Sequence, residues 1–289
     1  MRIGLVGCGN MGGGMARQLC QNGYDLTCHD PRPETCAKMA DLGAAIAPDA
    51  SALARDAEII ILSLPNAAIV AAVMDDIAAD IRPGMIILDT STSEPATSQA
   101  MAARGETRGF AFVDGPVSGG PAAAESGTMT MLLGGPPEAI ATLKPVLDIL
   151  TAKSVILGGA GAGHAAKIAN NMLCAANLVL VAEALRLGQA AGVAPQALLE
   201  GINAGSGRSG VSEVNFPKWV LTEAFDSGFT MGLMRKDVRL ALDLADRAGV
   251  ALPGFAEIAD IWLNRSGDIA DTQDFNAIST ATPKGHIHD

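Results

Sequence analysis

The feature that most restricts the fold is an alternation. Short unbroken apolar runs recur through the first half of the chain, and stretches with helical spacing separate them. "RIGLVG", "EIIILSLP" and "GMIILDTS" stay apolar at successive positions, so both faces of each strand must be covered. That is the pattern of parallel strands flanked by helices on either side. "MGGGMARQLCQNG" reads as a helix ending at Gly23. "PETCAKMADLG" reads as another, with Pro33 near its start and Gly43 past its end, where those residues suit a helix. "YDLTCHD", "GFAFVDGPVSGG" and "GTMTMLLGG" supply further strands. The repetition predicts an α/β fold, a doubly wound sheet with right-handed crossovers.

The rhythm stops near residue 160. The segment "GAGHAAKIANNMLCAANLVLVAEALRLGQAAG" has almost no strand signal and lies between Gly163 and Gly192. As a helix it would run roughly 40 Å at about 1.5 Å per residue. "PQALLEGIN", "LMRKDVRLALDLADRAG" and "PGFAEIADIWLNR" continue as shorter helices. Residues 1–161 are therefore read as an α/β domain and 162–289 as an all-α domain, with 162–192 forming the long linking helix. The tail "TPKGHIHD" is polar, and His286 and His288 within it do not make a metal site.

Within the first strand–helix junction, Gly7-x-Gly9-x-x-Gly12 has the spacing of a dinucleotide loop. Gly7 allows the tight turn, Gly9 a close approach of pyrophosphate to the backbone, and Gly12 the packing of helix on strand. The helix N-terminus offers free N–H groups and the positive end of its dipole to phosphate. Asp30 follows 18 residues after Gly12, at the end of the second strand. A carboxylate there accepts hydrogen bonds from both ribose hydroxyls and repels a 2′-phosphate, which favours NAD over NADP. Arg32, two residues on, softens that preference. Three glycines inside the opening segment also spoil its reading as an export signal. Leu64 and Pro65, and Ser91 and Thr92, fall at the carboxyl ends of two more strands, where open sheets bind ligands.

Composition narrows the partners. The charge count is 20 Lys and Arg against 31 Asp and Glu, a net of -11, which disfavours nucleic acid and anionic lipid. The five cysteines, Cys8, Cys20, Cys28, Cys36 and Cys174, show no C-x-x-C spacing and no histidine at ligand distance. They are read as reduced, mostly buried residues of a cytoplasmic protein. "MLCAANLVLVAEAL" is interrupted by Asn177 and Glu183 and is read as a buried helix, not a membrane span. The alanine- and leucine-rich stretch "LALDLADRAG" is expected to pack against another subunit, in a homodimer or homotetramer.

Four segments carry a family pattern: "GLVGCGNMGGGMA", "DGPVSGG", "GAGHAAKIANN" and "MRKDVRLAL". In that order they resemble the β-hydroxyacid dehydrogenases, the family of 3-hydroxyisobutyrate dehydrogenase and tartronate semialdehyde reductase, over essentially the whole chain. The resemblance implies an N-terminal Rossmann domain and a helical C-terminal domain with the active site in the cleft between them. It implies that Lys167 is the catalytic lysine and that Ser118, Gly119 and Gly120 hold the substrate carboxylate. It places Asn171 beside the substrate, and Lys236 and Asp237 at the nicotinamide end of the cleft. Cofactor contacts carry over to Asn10, Met11, Asp30, Leu64, Pro65, Ile69 and Thr92, along with the three glycines of the loop. Gly115 departs from the family's alanine in "DAPVSGG".

The chemistry agrees residue by residue. Hydride arriving at a carbonyl develops an alkoxide, which needs a proton and a stabilising charge. A lysine held close supplies both. To act as a base in the oxidation direction it needs burial or a neighbouring cation, a part open to Lys236. Ala165, Ala166, Ile168, Ala169 and Met172 make the surroundings of Lys167 apolar, unlike those of an ordinary solvated lysine. Asn171, four residues on, faces the same side of the helix. His164, one turn earlier, suits a place at the helix start. Arg208 in "GSGRSG" is either a reader of a second anionic group on the substrate or a surface residue. Met129, Met131, Met231 and Met234 are read as core.

The expected activity is NAD-dependent hydride transfer between nicotinamide and a short 3-hydroxy carboxylate or its semialdehyde. An NADPH-linked imine or aldehyde reductase of the same fold would prefer NADPH. A non-catalytic dinucleotide-binding module would bind cofactor without turnover.

Overall fold

Residues 1–281 are described by the computed structural model, and His286 and His288 lie outside them. The chain divides into two compact units, Met1–Lys167 and Ile168–Asp289.

The first unit is built on strands β1 (Arg2–Val6), β2 (Asp25–His29), β3 (Ala45–Ile46), β4 (Ile59–Leu62), β5 (Ile86–Asp89), β6 (Ala111–Asp114), β7 (Val117–Ser118), β8 (Met129–Gly134) and β9 (Thr151–Gly158). Between them run helices α1 (Asn10–Gln21), α2 (Pro33–Asp41), α3 (Ala50–Asp56), α4 (Ala67–Asp76), α5 (Pro95–Arg108), α6 (Gly120–Ser126) and α7 (Pro137–Leu150). The strand order is β3-β2-β1-β4-β5-β6-β8-β7, with β9 on β8. From β3 to β6 all pairings are parallel. The uniform winding read from the sequence stops there. β8 runs antiparallel to β6 and to β7, and β9 returns parallel to β8. The sheet is thus mixed, with a parallel doubly wound part and an antiparallel extension.

The apolar runs explain their own burial. Every residue of β4 and β5 is buried, so helices must cover both faces. One core under α1 and α7 gathers Leu5, Met15, Ile61, Leu88 and Met131, and a second under α3, α4 and α5 gathers Val6, Leu53, Ile60, Ile87 and Phe112. α1 also presses closely against α6 at Gly14. A Cβ at Gly14 would lie 2.7 Å from the Cβ of Ala124.

Helix α8 (Ala162–Ala190) runs from the end of the first unit through much of the second, as the sequence pattern predicts. In the second unit α9 (Pro195–Ala204), a π-helical segment Val211–Val220, α10 (Met231–Ala248), α11 (Pro253–Asp260) and two short turns complete the bundle. Its core includes Leu178, Leu185, Phe216, Met234 and Trp262. Met129, Met131, Met231 and Met234 are all buried, as expected.

Two expectations need correction here. The apolar stretch of α8 was read as buried, yet only 44% of its most apolar 18-residue window is buried. By length and composition alone that helix could cross a membrane. And the "LALDLADRAG" segment of α10, expected to face another subunit, turns Leu240 and Ala241 into its own unit's core, with Leu242 and Leu244 packed against it. Alternating exposure along a helix cannot be assigned to self or partner from composition.

Candidate active site

The sheet changes its direction of winding between β1 and β4, and the glycine turn sits at that point. Gly7 follows β1 with φ +89°, and a Cβ there would lie 2.3 Å from the Ser63 carbonyl oxygen. At Gly12 a Cβ would lie 2.0 Å from the Gly7 carbonyl oxygen, so only glycine lets α1 start so close to the turn. No side chain caps α1 at Gly9 and its first turn holds no acidic residue. The unsatisfied N–H groups of that turn, at Asn10 and Met11 among others, are therefore offered to an anion. These are the features a dinucleotide pyrophosphate requires.

At the end of β2, Asp30 is nearly buried, and hydrogen bonds reach both of its oxygens. Cys8 N–H donates to Oδ2 at 2.9 Å and Arg32 N–H to Oδ1 at 3.0 Å. The Arg32 guanidinium adds 2.8 Å to Oδ1 and 3.0 Å to Oδ2. Burial pushes the carboxyl pKa up, but the Arg32 side chain and the two backbone donors outweigh it and hold Asp30 at about 2. Cys8 is the contact that motif reading missed. Its amide ties the turn directly to the acid.

Across the switch point, Leu64 N–H donates to Ser91 Oγ at 3.0 Å, joining the ends of β4 and β5. Asn66 caps α4 by accepting from Ile69 N–H at 3.0 Å, which leaves the exposed Ile69 and Pro65 at the sheet's carboxyl edge. Thr92, three residues after the end of β5, is half-buried.

Further along the same edge, Ser118 ends β7, and Gly119 (φ +121°) and Gly120 (φ +68°) turn the chain into α6. Both are backbone conformations that favour glycine, and they leave this loop bare of side chains. Lys167 points here. It is buried, 7% exposed, and its Nζ donates to Ser118 Oγ at 2.8 Å. The solvated-lysine reading is excluded. At Gly115, a Cβ would meet Leu88 Cδ1 at 2.9 Å and Met131 Sδ at 3.0 Å, so the large neighbours here account for the missing methyl.

What holds Lys167 in place was not legible in the motifs. Asp114, wholly buried at the end of β6, accepts from Gly161 N–H at 2.6 Å and His164 N–H at 3.0 Å. A carboxylate from the sheet thus caps the start of α8. Gly163 allows the approach, since a Cβ there would lie 2.8 Å from Asp114 Oδ2. His164 is wholly buried, with Nε2 2.9 Å from the Ser91 carbonyl and Nδ1 2.7 Å from Ser98 Oγ. A carbonyl only accepts, so Nε2 carries a proton and the Ser98 hydroxyl can donate to Nδ1. Asp89 Oδ2 lies 4.0 Å from Nε2 with no hydrogen bond, and burial pushes the Asp89 carboxyl above the usual range. The His164 side chain thus ties the start of α8 to Ser91, after β5, and to Ser98 on α5.

In the second unit, Asn171 and Asp237 are both buried, and Asn171 Nδ2 donates to Asp237 Oδ2 at 2.5 Å. Lys236 Nζ approaches Asp237 Oδ1 at 3.3 Å, an ion-pair distance without hydrogen-bond alignment. Asp237 thus joins an amide on α8 to a cation on α10. Arg208 is exposed and pairs with Glu213 at 3.7 Å. No cluster of three or more metal-ligating side chains occurs among the described residues.

A glycine turn at the switch point, an acid after β2 and a buried lysine beside a glycine loop are the features of a nicotinamide-dependent dehydrogenase. Residues 2–159 match the NAD binding domain of 6-phosphogluconate dehydrogenase, and residues 161–281 match the NAD-binding domain of NADP-dependent 3-hydroxyisobutyrate dehydrogenase. The chain is 35% identical over 265 residues to 2-(hydroxymethyl)glutarate dehydrogenase of Eubacterium barkeri, covering 91% of this chain and 88% of that one. It is 35% identical over 252 residues to mitochondrial 3-hydroxyisobutyrate dehydrogenase of Mus musculus, covering 84% and 75%. A solved structure of Mycobacterium tuberculosis 3-hydroxyisobutyrate dehydrogenase with L-serine superposes with TM-score 0.91 at 31% identity, covering 97% of this chain and 99% of that one. The chain belongs to the β-hydroxyacid dehydrogenase family.

Proposed function

We propose that this dehydrogenase interconverts a short 3-hydroxy carboxylate and its semialdehyde or keto acid, with Lys167 as the general acid and base. One observation carries the assignment: a lysine buried to 7% exposure, 2.8 Å from the hydroxyl that opens the Ser118–Gly119–Gly120 loop. The nicotinamide supplies or accepts hydride when bound. Ser118 accepts from Lys167, which leaves its own proton to donate to a substrate carboxylate. The Gly119 and Gly120 amides complete an anion nest. Lys167 Nζ takes the hydroxyl proton in oxidation and returns it to the alkoxide in reduction. Asn171 spends one amide N–H on Asp237 and keeps a second for substrate. Asp237 holds Asn171 and Lys236 in place.

The proposed cofactor contacts are Gly7, Gly9, Asn10, Met11, Gly12, Asp30, Leu64, Pro65, Ile69, Thr92, Lys236 and Asp237, with NAD preferred. Residues 1–161 form the cofactor domain and 162–289 the helical domain of a cytoplasmic homodimer or homotetramer. The two dicarboxylate- and monocarboxylate-named relatives leave the substrate's far end to be found by a panel of 3-hydroxy acids read by NADH absorbance.

Lys167→Ala tests the central role. Turnover is expected to fall by roughly 10²–10⁴-fold with NAD binding retained. Near-normal turnover would remove Lys167 from the chemistry.

A further inference from the structure

His164 is closed off from any substrate. It is wholly buried, and both ring nitrogens are engaged, Nε2 with the Ser91 carbonyl oxygen at 2.9 Å and Nδ1 with Ser98 Oγ at 2.7 Å. Its place on α8 gives it another task. His164 stands one turn before Lys167, so the two share one side of the helix. Whatever fixes the roll of the helix at His164 fixes it at Lys167.

The ties at this end of α8 are of two kinds. Asp114 receives Gly161 N–H and His164 N–H. Those donors are backbone atoms, which lie within about 2.3 Å of a helix axis and give a short lever against rolling. The His164 ring instead reaches sideways, to Ser91 after β5 and to Ser98 on α5. Side-chain ends lie about 6 Å from the axis, so a roll of about 10° moves them by about 1 Å. A displacement of about 1 Å in a reacting group lowers a rate by as much as roughly 10²-fold.

Ser91 is a firm point of reference, because each of its polar atoms is used. Its N–H donates to Asp89 Oδ1 at 3.0 Å, its Oγ accepts from Leu64 N–H at 3.0 Å, and its carbonyl accepts from His164. Leu64 is among the proposed cofactor contacts. One residue therefore holds the cofactor edge on one side and the helix of the lysine on the other. In oxidation, hydride and proton leave adjacent atoms of one substrate, so nicotinamide and lysine must be in register. The hydrogen-bonded chain Leu64–Ser91–His164 sets that register from within the sheet.

We propose that His164 is a positioning residue for hydride transfer: its bond to the Ser91 carbonyl sets the roll of α8 and with it the place of Lys167 Nζ. The proposal rests on the reading of Lys167 as acid and base.

The test compares His164→Gln, His164→Asn and His164→Ala in the full chain, with rates taken per NAD-binding site so that unfolded protein is left out. Glutamine is long enough to keep an N–H on the Ser91 carbonyl, and asparagine is not. The expected kcat is within about threefold of wild type for Gln and roughly 10–100-fold lower for Asn and Ala, with NAD affinity unmoved. Placed on Lys167→Ala, the same substitutions are expected to lower the residual turnover no further, because His164 acts only through the lysine. An equal loss in both backgrounds overturns the proposal and leaves His164 a packing residue. So does a kcat that Asn and Ala leave unchanged, or one that Gln fails to restore. If Asn and Ala do not fold, Ser98→Ala decides, since it keeps the ring and removes its second partner. A lower kcat at unchanged NAD affinity is then expected, and an unchanged kcat overturns the proposal. Near-normal turnover in Lys167→Ala alone overturns the reading of the lysine as well, which separates that failure from the others.

Discussion

Asp30 shows how one residue can serve a turn and a ligand together. Its carboxylate receives Cys8 N–H from the glycine turn and the Arg32 guanidinium from the start of α2. A ribose that binds here must share an acid already fixed in place. Removing it in Asp30→Ala is expected to weaken NAD by roughly 10–100-fold, the worth of hydrogen bonds to a charged group. NADP should be weakened less, so the ratio of kcat/KM for the two cofactors falls. An unchanged ratio would detach specificity from this residue. Asp89 is the opposite case, an acid whose burial raises its pKa. The folded state then binds its proton more tightly than the unfolded one, so its contribution favours folding at low pH and is lost as pH rises through the folded pKa. Melting temperatures of Asp89→Asn and wild type should therefore diverge in favour of the variant with rising pH. A constant difference would contradict this. Gly7, Gly12, Asp30 and Lys167 were legible in the sequence because their meaning lies in local spacing. The contacts of Asp114 with the start of α8, and of the His164 side chain with Ser91 and Ser98, were not, because they join residues 47 to 73 apart in the chain.

At the scale of elements, legibility followed burial. β4 and β5, apolar on both faces, announced themselves, and so did the 29 residues of α8. β9 did not. Most of its residues are exposed, Ile156 among them at 61%, and it pairs only with β8, so its pattern carries no core signal. β3, two residues long and exposed, has the same excuse. The π-helical turn at 211–220 contains Pro217, which reads as a break in any helix pattern. The cap that Asp114 places on α8 is an element-scale device, because it ties the helix bearing Lys167 to the sheet edge bearing Ser118. Asp114→Ala is expected to leave two buried N–H groups without acceptors, destabilising the fold on the order of 1–3 kcal/mol for each. Turnover should fall as Lys167 loses its placement, while NAD affinity holds. Asp114→Asn, which keeps one acceptor oxygen, should fall between. If turnover in Asp114→Ala matches wild type, the cap has no bearing on catalysis.

For the whole molecule, association and stability are linked. If the protein assembles as the proposed homo-oligomer, its melting temperature should rise with protein concentration by mass action. A transition independent of concentration would speak against the assembly. The contact between Gly14 and Ala124 has a consequence of another kind. α1 presents its N-terminus to the cofactor, and α6 begins with the loop assigned to the substrate. At Gly14 the backbone of α1 meets Ala124 of α6 with no room for an added methyl group. The two binding loops therefore cannot drift apart through small successive substitutions at that crossing. Descendants of this chain that acquire new substrates must do so by changing residues elsewhere around the carboxylate loop, with the junction of the two helices inherited whole.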